Sequence, residues 1–422
     1  DLAQEMGDPA TLAHSFNRLG NWYLNVEQPQ EALRCHQQAL SIFQGLNERP
    51  GLAETFDLLG MASVLSCDLI GATHYYDQAV ALFRELDNRP GLASSLGSLT
   101  LRAATFQTSL MVPAAPLPEA AREGEMALQI ARDIGQRAGE AYALVFLGFC
   151  LAPAGEYGRA LESARRGLEI AQEIEHRQWM TAAHCALGAI HHDLLALAEA
   201  RPHLEQALTL AMETGSLHWI HCATGYLASL CTAQNELDRA TAILDSGLPA
   251  DSPSQTLGQR LAWCARAEHA LARGDAEVAL QIADQLIAST RNLSQAGAIP
   301  RLARLRAEAQ FQLGKVAQAG AELQAAQEAA HVQGSQSLLW RIQIASGRVY
   351  QVQERHAEAR QAFAAASTLV EELAAKIPDD WLRANFVRRA MAMLPPGAKA
   401  HGERPETPRQ AAKRDYGGLT PR

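Results

Sequence analysis

Two groups of side chains in this chain could do chemistry. His184, Cys185, His191, His192, His218, His221 and Cys222 bring imidazoles and thiols into one stretch, the soft donors that tetrahedral zinc takes. Further on, Arg301, Arg304, Arg341 and Arg348 recur at helical spacing, and guanidinium groups pair with carboxylates or phosphates through two parallel hydrogen bonds. Catalytic signatures are missing. The sequence has no G-x-S-x-G, no H-E-x-x-H and no glycine-rich phosphate loop, so no enzyme activity, cofactor or metal is expected. Of the histidines, His184 and His191 fall where one helix packs on the next, and His192 and Cys185 fall on the inner side of the same helix. Packing is therefore expected there rather than metal ligation.

What positions these residues is a ladder. A small residue recurs at Gly20, Gly60, Thr100, Gly148, Gly188, Ala228, Ala267, Ala307 and Gly347, in steps of 40, 40, 48, 40, 40, 39, 40 and 40 residues. A second ladder follows 12 residues behind the first, except after Thr100: Ala32, Ala72, Ala120, Ala160, Ala200, Ala240, Ala279, Ala319 and Ala359. A fixed period of this size predicts stacked helix pairs. In the first unit Phe16, Leu19, Gly20 and Tyr23 share one helical face, at the spacing of i, i+3, i+4 and i+7. Pro29 then suits the first position of a second helix, where its missing N–H costs nothing. Ala32, His36, Ala39 and Leu40 continue that helix's inner face. Small residues on both ladders let the two helices approach to about 8–10 Å. Gly155, Asn235, Gly274 and Gly314 mark turns between paired helices, and Leu46–Ala53, nearly repeated as Leu86–Ala93, supplies the Pro-Gly breaks between units.

The pattern Phe16-x2-Leu19-Gly20-x2-Tyr23, with Gly347, Tyr350, Ala359-x3-Phe363 and Ala366 in the last unit, resembles the tetratricopeptide repeat (TPR). The period of 40 exceeds the usual 34, which fits a longer second helix and loop. The resemblance implies an all-α fold: a right-handed superhelical solenoid of about nine TPR-like repeats over residues 11–374. It also implies a concave groove, in which a protein partner or small effector meets positions three before, one after and four after the ladder residue. Carried onto this chain, those positions are Asn17 and Asn21 in the first unit, Val145 and Phe149 in the fourth, and Arg304 and Arg348 in the last two, with Arg301 and Arg341 one turn earlier. The expected groove is amide-rich at its start, apolar in the middle and arginine-bearing at its end.

The third unit breaks the rhythm. Eight extra residues precede Ala120, and Ser109–Pro118 holds three prolines, which exclude a continuous helix. A plain surface loop and a ligand- or partner-binding loop are the two readings. The net charge of −9 is uneven, since residues 376–422 carry ten Lys/Arg and five Asp/Glu. The acidic remainder argues against the array itself holding nucleic acid. Seven cysteines with no CxxC read as buried free thiols, as in a cytoplasmic protein. No apolar run is long enough for a membrane span.

The two ends point beyond the array. The chain starts at Asp1, and Asp1–Gly7 reads like the close of a preceding repeat helix, so residues 1–10 are expected to continue something upstream. Asp379 and Asp380 can start a capping helix, Trp381–Leu394, within a segment 375–396, its Trp381, Phe386, Met391 and Leu394 covering the open end of the stack. Residues 397–414 read as a basic linker. In the closing segment 415–422, Gly417-Gly418-Leu419-Thr420-Pro421-Arg422 resembles the opening of the LuxR-type helix-turn-helix domain, and Pro378–Ala384 resembles the segment that joins repeat arrays to that domain. The resemblance implies a large, ATP-dependent, MalT-like LuxR-family regulator. Its array would carry signals between a nucleotide-binding domain and a DNA-binding domain, neither of which lies in these residues. ATP would belong to the parent protein, and DNA would be met through the C-terminal domain alone. The alternative is a stand-alone scaffold for assembling protein complexes.

Overall fold

The computed structural model describes residues 7–395. Of the expected upstream helix end at 1–10, residues 1–6 lie outside the described residues, as do the linker at 397–414 and the helix-turn-helix opening at 415–422, whereas Pro9 and Ala10 begin the first helix of the array. Among those described, every regular element is a helix and none is long and apolar enough to cross a membrane. Nine antiparallel pairs follow one another: α1 (Pro9–Asn25) with α2 (Pro29–Leu46), α3 (Arg49–Leu65) with α4 (Leu69–Glu85), α5 (Arg89–Ser98) with α6 (Leu117–Asp133), α7 (Arg137–Leu151) with α8 (Tyr157–Glu173), α9 (Arg177–Asp193) with α10 (Leu197–Thr214), α11 (Leu217–Ala233) with α12 (Leu237–Gly247), α13 (Leu257–Arg273) with α14 (Ala276–Ala288), then, past the short α15 (Leu293–Ala296), α16 (Pro300–Gln312) with α17 (Val316–Gln333) and α18 (Gln336–Val352) with α19 (His356–Ala375). The chain ends its described part in α20 (Asp380–Met391). This is the all-α, TPR-like solenoid the ladder predicts.

The helices end by rule. A residue with positive φ recurs about every twenty positions, as at Glu27, Asn47, Cys67 and Asp87 and later at Gly135, Gly155, Glu175, Leu195, Gly215 and Asn235, turning the chain back for the next antiparallel helix. The first ladder is where paired helices touch. A Cβ built on Gly20, Gly60, Gly188 or Gly347 would meet His36, Tyr76, Leu204 or Phe363 at 2.3–2.7 Å. Each of those side chains lies sixteen residues on, so glycine makes the room its partner fills. Where the third unit has Thr100 instead, the small residue has moved to the second helix. A Cβ on Gly124 would stand 2.6 Å from Thr100 Cγ2.

The proline-bearing insertion is not a plain surface loop. After a short 3-10 turn (Leu99–Arg102), the irregular segment 103–116 runs into the coil, with Leu110, Met111, Thr105, Gln107 and Thr108 buried. A buried irregular chain must satisfy its own polar groups. Here Phe106 N donates to Phe149 O (3.2 Å) and Ala114 N to Arg102 O (2.7 Å). The Leu110 carbonyl accepts from Arg260 Nε and Nη2 (3.3 and 2.9 Å).

The coil closes on itself around this plug. Glu27, in the first turn of the array, accepts from His221 Nδ1 (2.7 Å) and Thr256 Oγ1 (2.9 Å). Asn292 donates to Asp68 (3.0 Å), and Ser337 N to Pro153 O (3.1 Å). Helix α20 is capped by Asp379, which accepts from Leu382 N (2.7 Å). It packs against α19, the last helix of the array, and also reaches back along the coil, placing buried Phe386 against Trp340 and Tyr157 and donating from Asn385 to Leu195 O. Trp381, expected to help cover that end, stays exposed, while Met391 and Leu394 are partly buried.

Candidate functional site

Closure of the coil divides the expected groove into separate, partly open cavities. Three of the four groove arginines meet in one of them. Arg301 and Arg304 reach it from α16 and Arg341 from α18, two neighbouring repeats sharing a cavity of about 200 Å³. The other charges are Glu268 on α13 and Asp193 at the end of α9. Phe106 and Ser109 of the insertion form part of the wall.

Each arginine is held. Arg301 Nη2 donates to Glu268 Oε1 (3.2 Å) and Nη1 to Ser109 Oγ (3.4 Å). Arg304 pairs with Glu308, one turn along its own helix. Arg341 donates to the Asp193 carbonyl (2.8 Å), pairs with its carboxylate (2.9 Å) and lies over the Trp340 ring at 4.2 Å. Ser229 Oγ donates to Glu268 Oε2 (2.6 Å), and Tyr157 Oη to Asp193 Oδ2 (2.5 Å). Burial alone would raise the Glu268 pKa, but Arg301, the Ser229 hydroxyl and Arg304 outweigh it and hold the carboxyl below its usual range. Burial works against the Arg304 charge too, yet Glu308 and Glu268 more than restore it. His192 lines the same wall, its pKa lowered by burial and only partly restored by Glu268. Each of the three guanidiniums thus has a carboxylate partner, Glu268, Glu308 or Asp193, and the charges in and beside the cavity balance. Two buried polar atoms there, Arg304 Nε and Tyr226 Oη, have no hydrogen-bond partner. Guanidinium groups gathered around one cavity can pair with the oxygens of a carboxylate or phosphate in exchange for their present partners.

The remaining groove positions scatter. Arg348 lies on the outside, donating to Met393 O (3.3 Å). Asn17 is buried between helices, donating to Thr55 Oγ1 (2.9 Å) and facing His36 Nδ1 (3.0 Å). Val145 and Phe149 have no exposed surface and belong to the core. Asn21 lines a separate chamber. Sequence reasoning named neither Ser229 nor Glu268, although each directly follows a ladder residue, Ala228 and Ala267, so extending the same register to the middle repeats finds both. Tyr226 and Asp193 lie off that register and carried no such signal. The histidine and cysteine group also separates. His184 Nδ1 faces His203 Nδ1 (3.0 Å), His221 goes to Glu27, and Cys185 and Cys222 are buried. No group of three or more His, Cys, Asp or Glu among the described residues could hold a metal.

Residues 11–85 match the family model of the tetratricopeptide repeat. The structure is similar to a Rap protein complexed with competence and sporulation factor, at 10% identity and a TM-score of 0.58, over 86% of this chain and 99% of that one. That likeness shows the fold. A signal-transduction ATPase with a TPR sensor from Pyrococcus horikoshii gives 15% identity and a TM-score of 0.41 over 67% of this chain and 43% of that one. No curated protein sequence matches the chain.

Proposed function

We propose that this array is the effector-sensing region of a transcriptional regulator and that it takes a small acidic effector into the arginine chamber. The observation that carries this reading is the convergence of Arg301, Arg304 and Arg341 on one cavity. Because the chamber is walled by helices α9, α11, α13, α16 and α18 and by the insertion, an occupant would touch most of the later repeats at once. A ligand that binds the closed coil better than an opened one shifts the balance between them by its difference in affinity. Regulation of DNA binding and a requirement for ATP would belong to the parent protein, by the LuxR-type resemblance of Gly417–Arg422. The filled interior favours this reading over the stand-alone scaffold, since an extended peptide needs an open groove.

The test is calorimetric titration of the array with succinate, citrate and inorganic phosphate. Saturable binding that weakens at least about tenfold in Arg304→Ala and is unchanged in Arg348→Ala supports the site. Equal affinity in Arg304→Ala, or no binding of any acidic probe, counts against it. For the regulatory part, a reading frame that continues past Arg422 into a helix-turn-helix pattern supports the regulator, and a stop codon there favours the scaffold.

A further inference from the structure

Two opposite charges share the arginine cavity without pairing. Arg304 on α16 and Glu268 on α13 both line it. Among the described residues, Arg304 forms an ion pair with Glu308 alone and Glu268 with Arg301 alone. Each nevertheless acts on the other. Glu268 helps to restore the Arg304 charge against burial, and Arg304 helps to hold the Glu268 carboxyl below its usual range. The two groups are near enough to interact and too far apart to bond. Asp193, the other carboxylate of the wall, serves Arg341 instead.

Both groups keep capacity for a further partner. Their side chains are 17% and 22% exposed, so neither is sealed in the wall. Arg304 bonds Glu308 through Nη1, and its Nη2 donates to nothing among the described residues. Glu268 Oε1 accepts from Arg301 Nη2 and the Cys264 thiol (3.2 and 3.8 Å), but Oε2 accepts from the Ser229 hydroxyl alone (2.6 Å). An ionised carboxylate has about four lone-pair sites, so Oε2 can take another donor. His192 on the same wall has its pKa lowered by burial, so at neutral pH it brings no charge to Glu268.

A plain anion meets a conflict here. On approaching Arg304 it also approaches the fixed charge of Glu268, which repels it. A ligand that brings its own cation escapes the conflict. Its carboxylate takes Arg304 while its ammonium donates to Glu268, and the charges then alternate from Glu308 through Arg304, the ligand and Glu268 to Arg301. The cavity, at about 200 Å³, is smaller than the usual ligand pocket of about 300–1,000 Å³ and leaves room for a small molecule only. We propose, on the effector reading of this cavity, that the effector is a small acidic amino acid, with a carboxylate on Arg304 and its ammonium on Glu268. Glu268 is then the residue that selects it over a plain dicarboxylate.

The experiment is calorimetric titration of the full chain with aspartate and succinate, which differ only in the ammonium. Aspartate should bind saturably and succinate at least about tenfold more weakly, as expected for one lost charge-assisted hydrogen bond and an unrelieved repulsion. Glu268→Gln keeps the side chain's shape and removes its charge. It should weaken aspartate and strengthen succinate, bringing the two within about threefold. Equal binding of the two acids by the unaltered chain, a comparison that needs no variant, would overturn the assignment and leave the acidic-effector reading standing. An aspartate preference that persists in Glu268→Gln would do the same. Binding of neither acid at millimolar concentration, by the unaltered chain or the variant, would remove both.

Discussion

Arg260→Met tests whether a single buried arginine holds the insertion inside the coil. Arg260 is 1% exposed and, being an arginine, stays charged. It has no carboxylate partner among the described residues. Its five donors instead reach the Leu110 carbonyl, from both Nε and Nη2, and Leu286 O (2.7 Å), Ser289 Oγ (2.9 Å) and Thr290 Oγ1 (2.7 Å). Methionine keeps much of the apolar stem, so the cavity left behind is small. The Leu286 carbonyl keeps the hydroxyls of Ser289 and Thr290 (3.2 and 2.7 Å). Leu110 loses both donors, and an orphaned buried acceptor costs about 1–3 kcal/mol. Taking about 2 kcal/mol, local opening of the insertion rises roughly thirtyfold. Because long arrays do not unfold as one unit, the measurement is local: amide hydrogen exchange of residues 103–116 by mass spectrometry, with α1 and α2 as internal reference. The expected outcome is faster exchange in that segment, including the Phe106 and Ala114 amides, with the reference unchanged. A change below about threefold, which is under 1 kcal/mol, would refute the claim that Arg260 anchors the plug.

Three further outcomes are expected. Gly60→Ala puts a Cβ 2.7 Å from the buried Tyr76 ring and should lose about 1–3 kcal/mol; Gly320→Ala has nothing nearer than 3.5 Å and should gain about 0.5–1 kcal/mol, so melting temperatures that move in the same direction would contradict the ladder's physical role. Burial, joined at His184, His203 and His218 by neighbouring histidines and arginine, lowers the pKa of His36, His184, His203 and His218 to about 4. The unfolded chain protonates them near 6.5, so it takes up protons that the native state refuses and stability falls as pH drops from 6.5 towards 4. Burial raises Asp57 to about 6 and Glu123 to about 7, which opposes this but covers fewer groups; with the partly exposed His184 and His203 discounted, the slope near pH 5 is on the order of 1 kcal/mol per pH unit, and a melting temperature that is flat or rises on acidification from pH 6.5 to 4.5 would be inconsistent with it. Phe386→Ala removes the buried ring that seats α20 against Trp340 and Tyr157 and should cost about 3–5 kcal/mol of docking, read as faster proteolysis within 377–395; unchanged cleavage would mean the helix is held otherwise.

Much of the local structure was legible in residue types. Gly60 and Tyr76, or Gly188 and Leu204, announce a helix pair because a missing Cβ and a bulky side chain sixteen residues on are complementary halves of one contact. Gly155, Asn235, Gly274 and Gly314 were read as turns, and each has positive φ. The site was legible only in part. The helical register identified Arg301, Arg304 and Arg341 as inward-facing, but it placed Arg348 with them and Val145 and Phe149 on an open surface. Register says which side of a helix faces inward, not whether space remains there.

By itself, the sequence determined the repeat: its period, its nine helix pairs, its turns and the face each helix shows its neighbour. These follow from contacts between residues some sixteen to forty positions apart, which a periodic pattern encodes directly. Only the tertiary structure decided that Glu27 meets His221 and Thr256, that Leu110 meets Arg260, and that α20 returns to Tyr157. In a solenoid each repeat adds a small rotation, and which distant residues meet depends on the sum of those rotations and on the eight residues inserted after Thr100. That sum is written in no single repeat, and it divided an expected open groove into separate cavities, one of which gathers three arginines.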